Sequence, residues 1–417
     1  MCIPIADNSA LILPHLILIK PGKQNKMISL EQAIEIAFSR VKLLDAENVN
    51  FLHSSGRILA EDVFADADVP PFNKSAMDGY ACQRADLGQE LFVIEIIPAG
   101  QLPTKIIGRN QCSKIMTGAQ VPEGADTVFM IEHSEEVAPG KVRFTGAISN
   151  ANICLKGEDL KEGDLVLSTG TPLKPQHIAI LASVGCTSPL VYKRPVVGII
   201  STGSELVNPE EKPKPSQIRN SNGPQMYAQA TKYGFPVNYY GIVPDDEHLT
   251  ARIIQKSVDE NDVTLLSGGV SVGDFDFVPR IIKELGFEIH FSKINIKPGQ
   301  HTTFASKGNK YIIGLPGNPV SSFIQFEVFV LPFLWKIMNY TRNEIRLSLT
   351  MSHNFNRKKT DREECLPVQI TNQNEIRMVD YHGSAHIHAY HQAFGFIKIP
   401  AGKTEIKKGE VVYVRPL

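Results

Sequence analysis

The 417-residue chain lacks most of the features that would assign it to a class quickly. It has no CxxC pair and no histidine at zinc-finger spacing, which excludes a cysteine-built metal module. Its six cysteines (Cys2, Cys82, Cys112, Cys154, Cys186, Cys365) are scattered, and a chain of this size needs no disulfide framework, so a reduced cytoplasmic protein is expected. Charge of one sign is lacking too. Lys and Arg total 43 against 44 Asp and Glu, for a net charge of −1, so no global attraction to nucleic acid or acidic membranes is expected. Arg84, Lys105 and Arg109 form no stripe with aromatic residues, which argues further against a nucleic-acid partner. The N-terminal apolar run LILPHLILI at 11–19 is interrupted by Pro14 and His15 and falls short of the roughly 20 residues of a membrane span. No positive charge precedes Lys20, unlike a secretory signal. Residues 1–26 are therefore expected to form a disordered leader, with no membrane association. No internal repeat or low-complexity tract is present.

The length is too great for one core, and about two to four domains are expected. Ser29 with Gln32 forms a capping box that opens a helix, along which Leu30, Ala33, Ile34, Ala37 and Val41 recur at helical spacing. Gly56–Ala60 reads as a second helical segment, followed by a strand near Asp62–Ala65 and a break at Pro70-Pro71-Phe72. From 72 to 156 come short strands with frequent Gly and Pro: LFVIEII, CSKIMT, TVFMIE and KVRFTG. KEGDLVLSTGTPL reads as a hairpin and Pro175–Val184 as a helix. From Pro195 onward the strands VVGIIS, VNYYGIV, VTLLSGG and YIIGLPGNP alternate with helices over Gly223–Tyr233, His248–Glu260, Phe277–Leu285 and Val320–Trp335. That alternation predicts a doubly wound, mostly parallel sheet. Beyond 340, LSLTM, PVQIT, IRMVD, FGFIKIP and VVYVRP predict a small β-barrel or sandwich. The expected fold class is α/β multidomain. It comprises the 1–26 leader, an α+β linker domain (27–71 plus 157–189), a β-rich insert (72–156), an α/β domain (190–339) and a C-terminal small β-barrel (340–417).

The chemistry is concentrated at strand ends. In VTLLSGGVSVGDFD the apolar run stops at Ser267-Gly268-Gly269, then Ser271, Gly273, Asp274 and Asp276 follow. Glycines there let backbone N–H groups approach an anion, and two adjacent carboxylates suit a bridging Mg²⁺. The alternative is a loop in which Asp274 caps the next helix. STGSEL offers Thr202-Gly203 to a phosphate and Glu205 to a metal, against an ordinary βα turn. GLPGNPVS places Pro316, Gly317 and Asn318 before Pro319 at a helix start, whose N–H groups would face an anion. Three glycine loops ending three strands of one sheet should converge on one edge, where such sheets bind ligands. In KINIKPG, Lys293 and Lys297 lie four apart, which on a strand puts both ammoniums on one face, against two solvated lysines. Asp78-Gly79, taken alone, reads better as a plain turn, and for Thr117-Gly118 a plain loop is as good a reading as a ligand contact. His382, His386, His388 and His391 do not match a defined metal geometry.

Taken in order, PPFNKSAMDGYA, MTGAQVPEGAD, KGEDLKEGD, STGSEL, GGVSVGDFDF, KPG and GLPGNPVS resemble the molybdopterin molybdotransferase family, to which the gephyrin E domain also belongs. The resemblance implies a Mg²⁺-assisted enzyme that takes adenylylated molybdopterin and molybdate, inserts the metal and releases AMP. It also implies a homodimer with each active site between subunits, and a molybdopterin adenylyltransferase as supplier. The functional acids carry over to Asp78, Asp159, Glu205, Asp245 and Asp276, with Glu205, Asp245 and Asp276 as metal ligands. Thr117, Lys293, Lys297 and Ser384 carry over as well, and with the loop positions Thr202, Gly203, Ser267, Gly268, Gly269, Ser271, Gly273, Pro316, Gly317 and Asn318 they make up the expected site. Two departures stand out: Pro367 replaces an expected arginine, with Arg362 kept, and Ser204 replaces a common aspartate, which should weaken one acidic contact. The adenylyltransferase of the same pathway would be shorter, and a gephyrin-like scaffold would not need the acids.

Overall fold

The computed structural model describes residues 27–147, 150–269, 277–371 and 374–417. The expected leader and the loop 270–276, with Ser271, Gly273, Asp274 and Asp276, lie outside the described residues. The chain divides into two compact units: residues 43–194 with 338–340, and the segments through Lys42, 195–337 and 341–417.

Helix α1 (Leu30–Ser39) starts on the expected capping box, with the Gln32 N–H donating to Ser29 Oγ at 3.2 Å and the Ser29 N–H donating to Gln32 Oε1 at 3.1 Å. Leu30, Ala33 and Ala37 form its buried face.

The 43–194 unit contains a six-stranded sheet: β1 (Gly79–Cys82), β2 (Glu90–Ile97), β3 (Gln111–Ile115), β4 (Thr127–Met130), β5 (Ser134–Ala138) and β6 (Lys141–Phe144), in the order β4-β1-β3-β2-β6-β5. Cys82 and Cys112 are paired in register across β1 and β3. Burial pushes both thiols up to about 12, so neither supplies a thiolate at neutral pH. A second core gathers Leu59, Leu173 and Val191 with Leu181 of α2 (Pro175–Ser183). Gly56–Ala60 is not helical. Ile58 bridges to Pro172 and Leu59 to Val191, and both are fully buried. Consecutive residues that both need burial are served by extended chain, which points them to opposite sides. Leu165–Leu167 pairs antiparallel with Val63–Phe64 rather than closing on itself as a hairpin.

The other unit carries the α/β layer: β7 (Val197–Thr202), α3 (Asn222–Lys232), β8 (Val237–Val243), α4 (Glu247–Glu260), β9 (Val263–Ser267), α5 (Val278–Glu284), β10 (Glu288–Phe291), β11 (Ile296–Lys297), β12 (Thr303–Lys307), β13 (Lys310–Leu315), α6 (Pro319–Gln325), a π turn (Phe326–Val330) and α7 (Leu331–Ile337). The sheet order is β8-β7-β9-β13-β12-β10. The first four strands are parallel, and β12 and β10 add antiparallel. All five residues of β9 are buried, as a strand covered on both faces requires. One face packs Ile200, Leu266 and Ile312 against Ile254 and Ile281 of α4 and α5. The other packs Phe304 and Tyr311 against Phe333 of α7. The run Pro319–Ile337 is long and apolar enough to cross a membrane, yet 83% of its apolar window is buried, which makes it a core helix.

The C-terminal strands β14 (Leu347–Met351), β15 (Glu363–Ile370), β16 (Glu375–Met378), β17 (Gly395–Ile399) and β18 (Val411–Pro416) pair in the cycle β15-β16-β14-β18-β17-β15, a closed barrel. Met351, Val368, Ile376, Ile397 and Val414 fill its interior. Strand β11 joins the barrel by pairing parallel with β15.

Candidate active site

The register pairs Ser201 with Ser267 and Ser267 with Leu315, so β7, β9 and β13 end level with one another. Their three loops therefore meet. The Gly268 N–H donates to the Leu315 carbonyl at 3.2 Å, and a Cβ on Gly317 would lie 3.9 Å from the Gly268 Cα. Gly268 has φ +91°, and a Cβ there would come within 2.5 Å of the Thr202 carbonyl, so only glycine lets these loops close up.

A residue that the sequence reading passed over holds the junction together. Asn222, at the start of α3, donates from Nδ2 to Ser267 Oγ at 2.7 Å and to the Gly317 carbonyl at 2.8 Å. Its Oδ1 is buried without a partner, an acceptor left open at the junction of the loops. The SNGP run at 221–224 was the only available signal, and it reads as an ordinary helix start.

Two acids stand on neighbouring loops. A Cβ on Gly203 would lie 2.5 Å from Glu205 Oε2, which places that carboxylate over the loop after β7. Asp245 follows β8 and forms a reciprocal pair with Ser204. The Ser204 N–H donates to Asp245 Oδ2 and the Asp245 N–H to Ser204 Oγ, both at 2.9 Å. Ser204 thus fixes Asp245 instead of weakening an acidic contact, and a hydroxyl does so without adding a like charge. Glu205 and Asp245 are both exposed. Among the described residues no three acids, histidines or cysteines cluster as a metal site, and Asp276 lies outside them.

The Asn318 side chain donates from Nδ2 to Ser384 Oγ at 2.9 Å, and the Val320 N–H donates to the Ser384 carbonyl at 3.0 Å. Ser384 therefore belongs to the rim of the β13 loop, with its own hydroxyl proton still available. The same contact takes the Val320 N–H, one of the helix-start donors expected to face an anion.

The strand reading of 293–297 does not hold. Strand β11 begins only at Ile296, and Lys293 precedes an isolated bridge from Ile294 to Ile28, so the two lysines share no strand face. Lys293 has no ion pair among the described residues, whereas Lys297 pairs with Glu364 at 2.6 Å. Pro367 is buried in β15 opposite Phe396, so no cation stands there, while Arg362 donates to Gln300 Oε1 at 3.0 Å.

Asp78, Thr117 and Asp159 lie in the other compact unit. Thr117 donates twice to Asp78 Oδ1, from its N–H at 2.6 Å and its hydroxyl at 2.7 Å. The hydroxyl proton is thereby committed, and Thr117 serves to hold the carboxylate. The two hydrogen bonds, the backbone one first, hold the Asp78 carboxyl below its ordinary range. The sign follows: this contribution is present above the unfolded-state pKa and is lost as the pH falls through the lower folded-state value. Thr117→Val removes one donor, so the Asp78 carboxyl is expected to titrate at higher pH than in the wild type. A carbon-detected NMR titration checks this, and an unmoved titration would refute it. Asp159 is exposed, and its backbone N–H donates to Val69.

The MoeA N-terminal region (domain I and II) matches residues 28–185, the probable molybdopterin binding domain family matches 198–336, and the MoeA C-terminal region (domain IV) matches 353–417. A molybdopterin molybdenumtransferase of Staphylococcus epidermidis is 40% identical over 321 residues, covering 75% of this chain and 76% of that protein. Its counterpart in Staphylococcus aureus Mu50 is 39% identical over 312 residues, covering 73% and 74%. The crystal structure of a molybdopterin biosynthesis MoeA protein from Pyrococcus horikoshii superposes with TM-score 0.82 at 28% identity, over 94% of this chain and all of that one.

Proposed function

Because the chain belongs to the MoeA family of molybdopterin molybdenumtransferases, we propose that it inserts molybdate into adenylylated molybdopterin and releases AMP. The observation that carries this reading is the level ending of β7, β9 and β13, which gathers a glycine-lined junction beside two exposed acids. Cleaving a phosphoanhydride calls for positioning and charge stabilisation more than for a protein nucleophile. The donor set at the junction is all oxygen (Glu205, Asp245, Ser204), which fits a hard divalent cation such as Mg²⁺. Glu205 and Asp245 would hold it together with Asp276. When bound, Mg²⁺ supplies positive charge against the phosphate oxygens.

The chain's own residues do the rest. The backbone around Thr202, Gly203, Gly268 and Gly269 accommodates the phosphates, and Asn222 keeps the β9 and β13 loops at a fixed separation. Ser384 offers its hydroxyl to an oxyanion from the rim. Lys293 and Lys297 supply the charge that draws molybdate. Asp78, Thr117 and Asp159 complete the site in a homodimer with each active site between subunits, working in the cytoplasm and supplied by the molybdopterin adenylyltransferase. The test is direct. Purified protein given adenylylated molybdopterin and Mg²⁺ should release AMP only when molybdate is added. Absence of molybdate-dependent AMP release would overturn the reading.

A further inference from the structure

Lys297 is not an ordinary surface lysine. Its strand β11 lies parallel to barrel strand β15, with Lys297 directly opposite Glu364. Glu364 Oε1 receives the Lys297 ammonium at 2.6 Å, while Oε2 receives Arg357 Nε at 3.0 Å. Arg357 is fixed in turn by donating to the carbonyls of Pro400 at 2.9 Å and Arg362 at 2.7 Å. Side-chain exposure rises along this series, from 3% at Arg357 and 7% at Glu364 to 45% at Lys297. The buried end is anchored and only the lysine reaches solvent. Two cations and one carboxylate leave the trio a net charge of +1, presented at Lys297.

The backbone that carries this lysine is gripped as well. Gln325 Nε2 donates to the Pro298 carbonyl at 3.4 Å, and Arg362 holds the Gln300 side chain. Gly299 has φ +111°, and a Cβ there would lie 2.4 Å from Gln325 Nε2. Barrel and helix therefore clamp the KPGQ segment on two sides. Surface lysines do not normally receive such support, because a solvated ammonium needs none.

We propose that Glu364 is a positioning residue for Lys297, holding its ammonium ready for the tetrahedral oxyanion that the enzyme takes up; this rests on the transferase reading above. A carboxylate neutralised from behind by Arg357 can orient a lysine without cancelling its attraction for a dianion. A site preorganised in this way binds its anion without first ordering a long flexible side chain.

The test is a double-mutant cycle with molybdate as the probe, reading AMP release and thermal unfolding in the full-length protein. Glu364→Gln should raise the molybdate KM about tenfold and lower kcat less than about twofold. Lys297→Ala should raise KM at least as much. The combined variant should behave like Lys297→Ala alone, because Glu364 acts only through that lysine. Glu364→Asp keeps the charge and should recover part of the affinity. It also carries the test if Glu364→Gln, by depriving the buried Arg357 of its carboxylate, does not fold. Independent penalties that add in the double variant, or a KM that follows only the loss of melting temperature, would reduce Glu364 to a structural clasp and overturn the inference alone. A wild-type protein that releases no AMP with molybdate would sink the transferase reading and this inference with it.

Discussion

Replacing Glu205 with glutamine is expected to lower molybdate-dependent AMP release by about 10²–10³-fold, the scale on which removal of one charge-stabilising group acts. The substitution keeps the size of the side chain and the backbone contact in which Glu205 accepts from the Ile218 N–H at 2.9 Å. Glu205 is exposed and has no ion pair among the described residues, so stability should change by no more than about 0.5 kcal/mol. What disappears is the negative charge above Gly203, and with it the ligand that Glu205 is proposed to give a divalent cation. Steady-state AMP release at saturating molybdate, followed alongside thermal unfolding, separates the two effects. Asp245→Asn is the informative companion. Asp245 Oδ2 accepts from the Ser204 N–H, so an amide there must turn its oxygen toward Ser204 and present its NH₂ to the cation side. The loop survives while the ligand is lost. Near-normal turnover in Glu205→Gln would remove the acids from the mechanism and leave the glycine junction as a binding cradle only.

The strands that build this junction were readable because parallel strands covered on both faces appear as apolar runs, and VVGIIS, VTLLS and YIIGL each lead into a loop that contains glycine. The spacing of the short C-terminal strands predicts a small barrel or sandwich, and the pairing of β15 with β17 that closes the barrel could not be read from it. The level ending of β7, β9 and β13 was not, since register is set by packing partners far away in sequence. Nor was the role of Asn222, whose two acceptors are Ser267 and Gly317. The pairing of Lys297 with Glu364 was hidden for the same reason, because it depends on β11 leaving the α/β layer to join the barrel. The error at Gly56–Ala60 has a different origin. Five residues are too few for periodicity to separate a helical turn from extended chain, and two distant bridges decided the matter.

Phe304→Ala should be the most destabilising of the substitutions considered, at about 3–5 kcal/mol. Phe304 lies on β12 and is fully buried. Its ring meets Phe333 at 5.2 Å and Phe329 at 6.0 Å edge-on, and stacks on Phe291 at 5.7 Å and Tyr311 at 6.3 Å. Truncation removes the ring that all four share, and the sheet behind it cannot collapse into the void because β12 is paired on both edges. Tyr311 extends the damage, since its hydroxyl accepts from the Lys42 N–H at 2.7 Å and donates to the Arg40 carbonyl at 3.2 Å, fastening the segment after α1. The opposite face of the sheet, built on Ile200, Leu266 and Ile312, keeps its own packing. The chain has a single tryptophan, and Trp335 sits in this same unit at 9% exposure. Its fluorescence during urea unfolding therefore reports this unit without interference from the other, which avoids treating two units as one transition. A loss below about 1 kcal/mol would mean that the aromatic cluster can repack around Phe304, contrary to the tight ring geometry on this face.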